Sequence, residues 1–146
     1  MDNCFAACGC DGSETITKSD LDRFTDTIEN VLNDEKGRRF FRNFMYTSKL
    51  KAGRRALDFW EHNERLLGYT ENAENVSYRS YLRDVDRLID EADRIDDIDF
   101  ATMERLTIAR DSENKEEIIG ALKLLKVEAT KALKREYSAF RRHYAK

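Results

Sequence analysis

Proline is absent from this 146-residue chain, glycine occurs six times, histidine twice and tryptophan once. Proline costs about 3 kcal/mol inside a helix and glycine about 1 kcal/mol. With so few breakers and 38% charged residues, the chain is suited to long helices, and an all-α fold is expected. Its length supports one core-bearing domain with short tails. No apolar run approaches the roughly 18 to 20 residues of a membrane span, and the N-terminus lacks a basic stretch followed by an apolar one. A cytoplasmic protein is expected. The formal net charge of −3 leaves no overall basic footprint of the kind that phosphate neutralisation requires, so nucleic acid is not an expected partner. Gly-rich phosphate loops, His-Glu-x-x-His pairs and nucleophile elbows are missing, which argues against an enzyme and against a bound cofactor. His62, beside Trp60, reads as a partly exposed helix residue without a catalytic partner. Glu61, Glu64, Asp84 and Asp86 alternate with Arg and Lys, as solvated helix faces do.

All three cysteines, Cys4, Cys8 and Cys10, fall in the opening MDNCFAACGC. An odd number disfavours a disulfide framework, and zinc lacks a fourth ligand because His62 and His143 are far off, so no metal is expected. Clustered thiols at a chain end are acceptors for reversible S-palmitoylation, while Asp2 in place of Gly excludes N-myristoylation. A tail with incidental thiols is the alternative. Asn75-Val76-Ser77 matches a glycosylation acceptor that a cytosolic chain does not use.

Residues 1–18 are small, polar and without apolar periodicity, and read as a disordered Cys-containing tail; residues 19–146 read as the helical domain. Ser19, three residues before Asp22, is placed to cap a first amphipathic helix carrying Leu21, Phe24, Ile28 and Val31-Leu32. Asn33-Asp34 and Gly37 mark a turn, followed by a helix with Phe40, Phe41, Phe44 and Met45 on a broad aromatic face. A polar loop over Ser48 to Gly53 leads to a third helix with Ala56-Leu57, Phe59-Trp60 and Leu66-Leu67. After a loop from Tyr69 to Asn75, Val76, Tyr78, Leu82, Val85, Leu88-Ile89 and Ala92 predict a long helix. Asp93, Asp97 and Glu104 have the spacing of positions 1, 5 and 12 of a calcium-binding loop, but Ile95 and Ile98 stand where a ligand and a glycine are needed. That segment reads instead as a connector in which Asp99 caps a helix carrying Phe100, Met103 and Leu106. From Ile118 to Tyr144 apolar residues recur at helical intervals in one helix or two.

The aromatic and Trp block from Gly37 through Phe40-Phe41 and Phe44-Met45 to Leu57-Asp58-Phe59-Trp60, with Glu61 and Glu64 behind it, resembles the RGS domain of regulators of G-protein signalling. The run Leu133 to Tyr144, with Tyr137 and Phe140, looks like that family's last helix. The resemblance spans about residues 20–146 and implies an RGS-like bundle of about nine helices in two subdomains. It further implies a partner, the α subunit of a heterotrimeric G protein, whose switch regions the domain holds while the subunit's own Arg and Gln hydrolyse GTP. The resemblance places the Gα-contact candidates at Lys51, Arg54, Arg55, Ala56 and Asp99. Here Arg54, Arg55 and Ala56 stand where the family has Glu, Glu and Asn, and Asp99 stands near the position of a second Asn. A reversed charge at an interface costs several kcal/mol where the family gains, and Ala cannot recreate the hydrogen bonds of Asn. Two readings follow from the resemblance: a divergent GTPase-activating regulator, and an RGS-like scaffold that binds a non-Gα partner without GTPase activation. Lys49, Lys51, Arg54 and Arg55, with the Lys and Arg residues from Lys123 onward, would favour an anionic inner leaflet if they shared a face with a lipidated tail, which makes peripheral attachment to the plasma membrane an expectation.

Overall fold

The computed structural model describes residues 15–69 and 77–144. Cys4, Cys8, Cys10, the glycosylation-like Asn75-Val76 and most of the loop before the fourth expected helix lie outside the described residues. Within them the chain forms eight helices and no strand: α1 Lys18–Phe24, α2 Ile28–Leu32, α3 Glu35–Thr47, α4 Lys51–Leu67, α5 Tyr78–Ala92, α6 Phe100–Asp111, α7 Lys115–Ala132 and α8 Lys134–Tyr144. The all-α class expected from composition is observed. No helix among the described residues is long and apolar enough to cross a membrane.

The first expected helix is two. Its cap is Thr17, whose hydroxyl accepts the Asp20 N–H while the Asp20 carboxylate accepts the Thr17 N–H, a reciprocal capping box. Ile16, ahead of the expected start at Ser19, is buried. The break falls at Thr25-Asp26-Thr27. Thr25 donates its hydroxyl to the Leu21 carbonyl, and Thr27 caps α2 by accepting the Asn30 N–H. Short hydroxyl side chains compete here with the helical backbone bonds, so the apolar spacing runs through the break. Gly37 does not mark a turn; it lies inside α3, where an added Cβ would stand 2.9 Å from both the Phe24 ring and the Val31 carbonyl. Asp34 is the α3 cap, accepting the N–H groups of Lys36 and Gly37.

The loop expected over Ser48 to Gly53 is shorter than expected. Lys49, with φ 61°, ends α3 in a Schellman turn in which the Leu50 N–H donates to the Met45 carbonyl at 2.8 Å. The chain is thereby redirected at once, and α4 begins at Lys51. Glu113, with φ 55°, repeats the device between α6 and α7, where the Asn114 N–H reaches the Ala109 carbonyl at 3.1 Å. The C-terminal periodicity resolves into two helices, α7 ending at Ala132 with Leu133 as its cap and α8 beginning at Lys134.

The chain divides into two compact units, Met1–Arg54 with Lys134–Lys146, and Arg55–Leu133. The first unit is held by an aromatic cluster between α3 and α8. The Phe41 and Phe140 rings are 5.2 Å apart, Phe40 and Phe44 each lie 5.6 Å from Phe140, and Tyr137 stands edge-on to Phe41 at 6.1 Å. Edge-to-face pairs of this kind add about 0.5 to 1.5 kcal/mol beyond the area they bury. The Tyr137 hydroxyl donates to the Phe24 carbonyl at 2.7 Å and Arg141 to the Thr25 carbonyl, so α8 also satisfies backbone acceptors at the end of α1. Burial pushes the Tyr137 hydroxyl pKa up to about 12.

The second unit packs around α6 and α7, an antiparallel pair, with Leu106, Ile118, Ala121, Leu122, Leu125 and Ala129 sealed from solvent. The C-terminal part of α4 is tied to α7 by polar contacts. The Trp60 indole N–H donates to the Thr130 hydroxyl at 3.2 Å, Asn63 donates to the Leu122 carbonyl at 2.9 Å, and Lys126 pairs with Glu64 at 2.9 Å.

Candidate functional site

Four of the five contact candidates lie on α4 because the Schellman turn starts that helix early. Lys51 and Arg55 are one turn apart and exposed. Arg54 is half-buried, with its guanidinium 5.0 Å over the Tyr46 ring; this cation–π contact fixes the side chain along the end of α3. Tyr46 itself is 63% exposed. Ala56 faces inward and is buried. Its methyl group belongs to the packing of the helix and is not presented at the surface.

Asp99 lies on another element. As expected, it caps α6: its carboxylate accepts the Thr102 N–H at 3.2 Å and the Thr102 hydroxyl at 3.3 Å. Its own N–H donates to Glu128 at 2.7 Å, and the other oxygen of Glu128 accepts the Thr102 hydroxyl at 2.6 Å. The carboxylate of Asp99 is thus engaged in stopping and orienting the α6 N-terminus.

His62 departs from the expectation of partial exposure: it is 4% exposed. Its Nδ1 lies 3.1 Å from Glu91 and its Nε2 3.5 Å from Asp84, which also pairs with Arg87. A neutral imidazole has one N–H and can donate to only one of these carboxylates, whereas the imidazolium donates to both. Glu91 and Asp84 are two turns apart on α5, so the ring ties α4 to α5. That spacing is visible in sequence only once α5 is known to pack on His62. Tyr81, on the same helix, is stacked between Tyr69 at 4.2 Å and Tyr78 at 5.9 Å. Its hydroxyl is buried without a hydrogen-bond partner, and burial, with the neighbouring tyrosines, pushes its pKa up to about 12.

Among the described residues no group of three or more His, Cys, Asp or Glu is arranged to hold a metal ion. Asp93 ends α5 and Glu104 lies on α6, so the calcium-like spacing is spread over a helix end, a connector and a second helix. No protein-family model, curated protein or solved structure matches this chain.

Proposed function

We propose that this chain is a divergent regulator of G-protein signalling that binds a Gα subunit through the exposed basic start of α4. The observation that supports the reading is the aromatic cluster of the first unit. Two of the segments that carry the resemblance, Phe40 to Phe44 and Tyr137 to Phe140, are far apart in the sequence and pack ring against ring; the third, Leu57 to Trp60, belongs to the second unit. The division into two helical units, one drawing on the first two segments, is in keeping with the two subdomains that the resemblance implies.

On this reading the surface contacts fall to Lys51, Arg54 and Arg55, and their charge selects a Gα that presents acidic groups where the family's usual partners suit Glu and Asn. Acylation of Cys4, Cys8 or Cys10 would hold the protein at an anionic inner leaflet. The alternative, an RGS-like scaffold with a non-Gα partner, draws support from two of the five candidates: Ala56 is buried and the Asp99 carboxylate is occupied by its own helix.

The deciding experiment is binding of the purified protein to a panel of Gα subunits in GDP, GDP–aluminium fluoride and GTP-analogue states, with single-turnover hydrolysis on each that binds. Preference for the fluoride state with faster hydrolysis, both weakened by Arg55→Glu, supports the regulator. A folded protein that binds none of them refutes the reading for those subunits and leaves the scaffold.

A further inference from the structure

The largest exposed apolar side chains of the second unit lie on its central helix pair. Phe100 is 79% exposed and Ile108 62% on α6, and Val127 is 53% exposed and Leu124 41% on α7. On α7 the pattern is ordered. Glu117, Gly120, Leu124, Val127 and Lys131 follow one another at steps of three or four residues, which places them along one face. The opposite face carries the buried Ile118, Leu122, Leu125 and Ala129. The outer face thus has an apolar centre, Leu124 and Val127, between charged ends.

Charge says what covers the outer face. Its N-terminal end carries exposed Glu116 and Glu117, the latter in a long, exposed 4.0 Å pair with Arg105 of α6 that a partner cation can replace, and its C-terminal end is basic, with exposed Lys131. We infer that α7 pairs antiparallel with α7 of a second copy of this chain across a two-fold axis near Leu124. In that register Glu116 and Glu117 of one copy meet the partner copy's basic end, and the partner copy's acidic end meets Lys131 in return. Gly120 of each copy meets Val127 of the other. A Cβ at Gly120 would make only ordinary contact, with an Arg105 nitrogen at 3.8 Å, so a Val side chain can approach the helix there once the exposed Arg105 side chain gives way. Leu124 meets its own equivalent at the axis. An isologous contact requires a self-complementary patch of this kind. A parallel pairing would set acid against acid and Lys131 against Lys131.

The 18 residues of α7 span about 27 Å, and a strip one to two helices wide, with Ile108 at its edge, covers roughly 500 Å² per copy. That is below the roughly 800 Å² per partner of a standard stable interface, so the dimer dissociates in the micromolar range or weaker.

The test is sedimentation equilibrium of the full chain from about 5 to about 500 µM, a range that brackets such affinities. The wild-type mass is expected to rise toward twice that of the monomer. Lys131→Glu alone, and Glu116→Lys with Glu117→Lys, are each expected to weaken self-association at least tenfold. An equimolar mixture of the two, or all three changes in one chain, is expected to regain it: in the mixed dimer one end keeps its signs and the other has them exchanged, and in the triple variant both ends are exchanged, so opposite charges meet at each end. Circular dichroism at low concentration checks that each variant keeps its helices. A wild-type monomer at the highest concentration overturns the proposal. So does a dimer indifferent to these reversals, or one that the compensated variants fail to restore.

Discussion

Alanine in place of glycine inside a helix is ordinarily stabilising, by about 1 kcal/mol, and this protein offers two helix-interior glycines at which the same change is expected to act with opposite signs. At Gly37 the new Cβ would lie 2.9 Å from the Val31 carbonyl oxygen, 3.1 Å from the Val31 Cα and 2.9 Å from the Phe24 ring. Two of those atoms are backbone, and Phe24 and Val31 are fully buried, so relief requires α3 to move away from α2. Overpacking of a tight core costs about 1 to 3 kcal/mol, and the backbone clash places this site at the upper end. Net of the helical gain, Gly37→Ala is expected to destabilise by about 2 kcal/mol. At roughly 3 °C per kcal/mol for a chain of this size, the melting midpoint falls by about 6 °C. Gly120→Ala meets only the Arg105 nitrogen at 3.8 Å and is expected to raise the midpoint by about 3 °C. Thermal unfolding by circular dichroism at low micromolar protein, where the monomer dominates, reads both. A Gly37→Ala protein as stable as the parent would refute the claim that contact with α1 and α2 selects glycine. A destabilised Gly120→Ala protein would refute the claim that its helix face is open.

Lys49 and Glu113 hold positive φ values of 61° and 55° at positions where glycine is unstrained. Lys49→Gly and Glu113→Gly are each expected to stabilise by up to about 1 kcal/mol in urea unfolding, and a loss at either would speak against the Schellman geometry. Asp20 accepts a hydrogen bond from Lys36, and with further donors in Thr17 and Arg23 its carboxyl is held down at about 2. Burial works against Asp34, yet Arg23 and the Gly37 and Lys36 N–H groups keep that carboxyl below its ordinary range. A depressed carboxylate contributes stability that is complete above its unfolded value near 4 and is lost as pH falls through the folded value, about 2 for Asp20. The acid limb of stability is therefore expected below pH 4, and Asp20→Asn should flatten it; an unchanged limb would remove Asp20 from that role. Ala56→Asn, which on sequence grounds would restore a contact asparagine, instead buries an amide and is expected to cost about 1 to 3 kcal/mol without strengthening Gα binding, as calorimetry and binding on the same sample would show.

Helical class and most apolar positions were legible because periodicity survives in a chain with no proline: Phe40, Phe41, Phe44, Leu122, Leu125 and Phe140 are all buried. Element ends were less so. The break after Phe24 depends on threonine hydroxyls that redirect the backbone without disturbing the apolar spacing, and the early start of α4 depends on a lysine in a conformation usually given to glycine. His62 looked half-exposed because its two carboxylate neighbours come from another helix, which no local pattern reveals. Of the contact candidates, Asp99 was legible as a cap. Ala56 entered the contact set through the resemblance, whereas the apolar pattern places it with Leu57 on the third expected helix, and it is buried. The cysteines lie outside the described residues.

The first unit has a temporal consequence that follows from the partnership of α3 with α8. The acceptors at the end of α1 and the faces of Phe40, Phe41 and Phe44 are completed by residues synthesised after the whole of Arg55–Leu133. A ribosome making this protein at about 5 to 20 residues per second leaves α1 to α3 without their closing helix for several seconds, while the contiguous second unit has every residue it needs to fold. The aromatic face of α3 is the surface that the growing chain must protect longest, so interrupting synthesis ahead of α8 would release a protein with one finished unit and one sticky end.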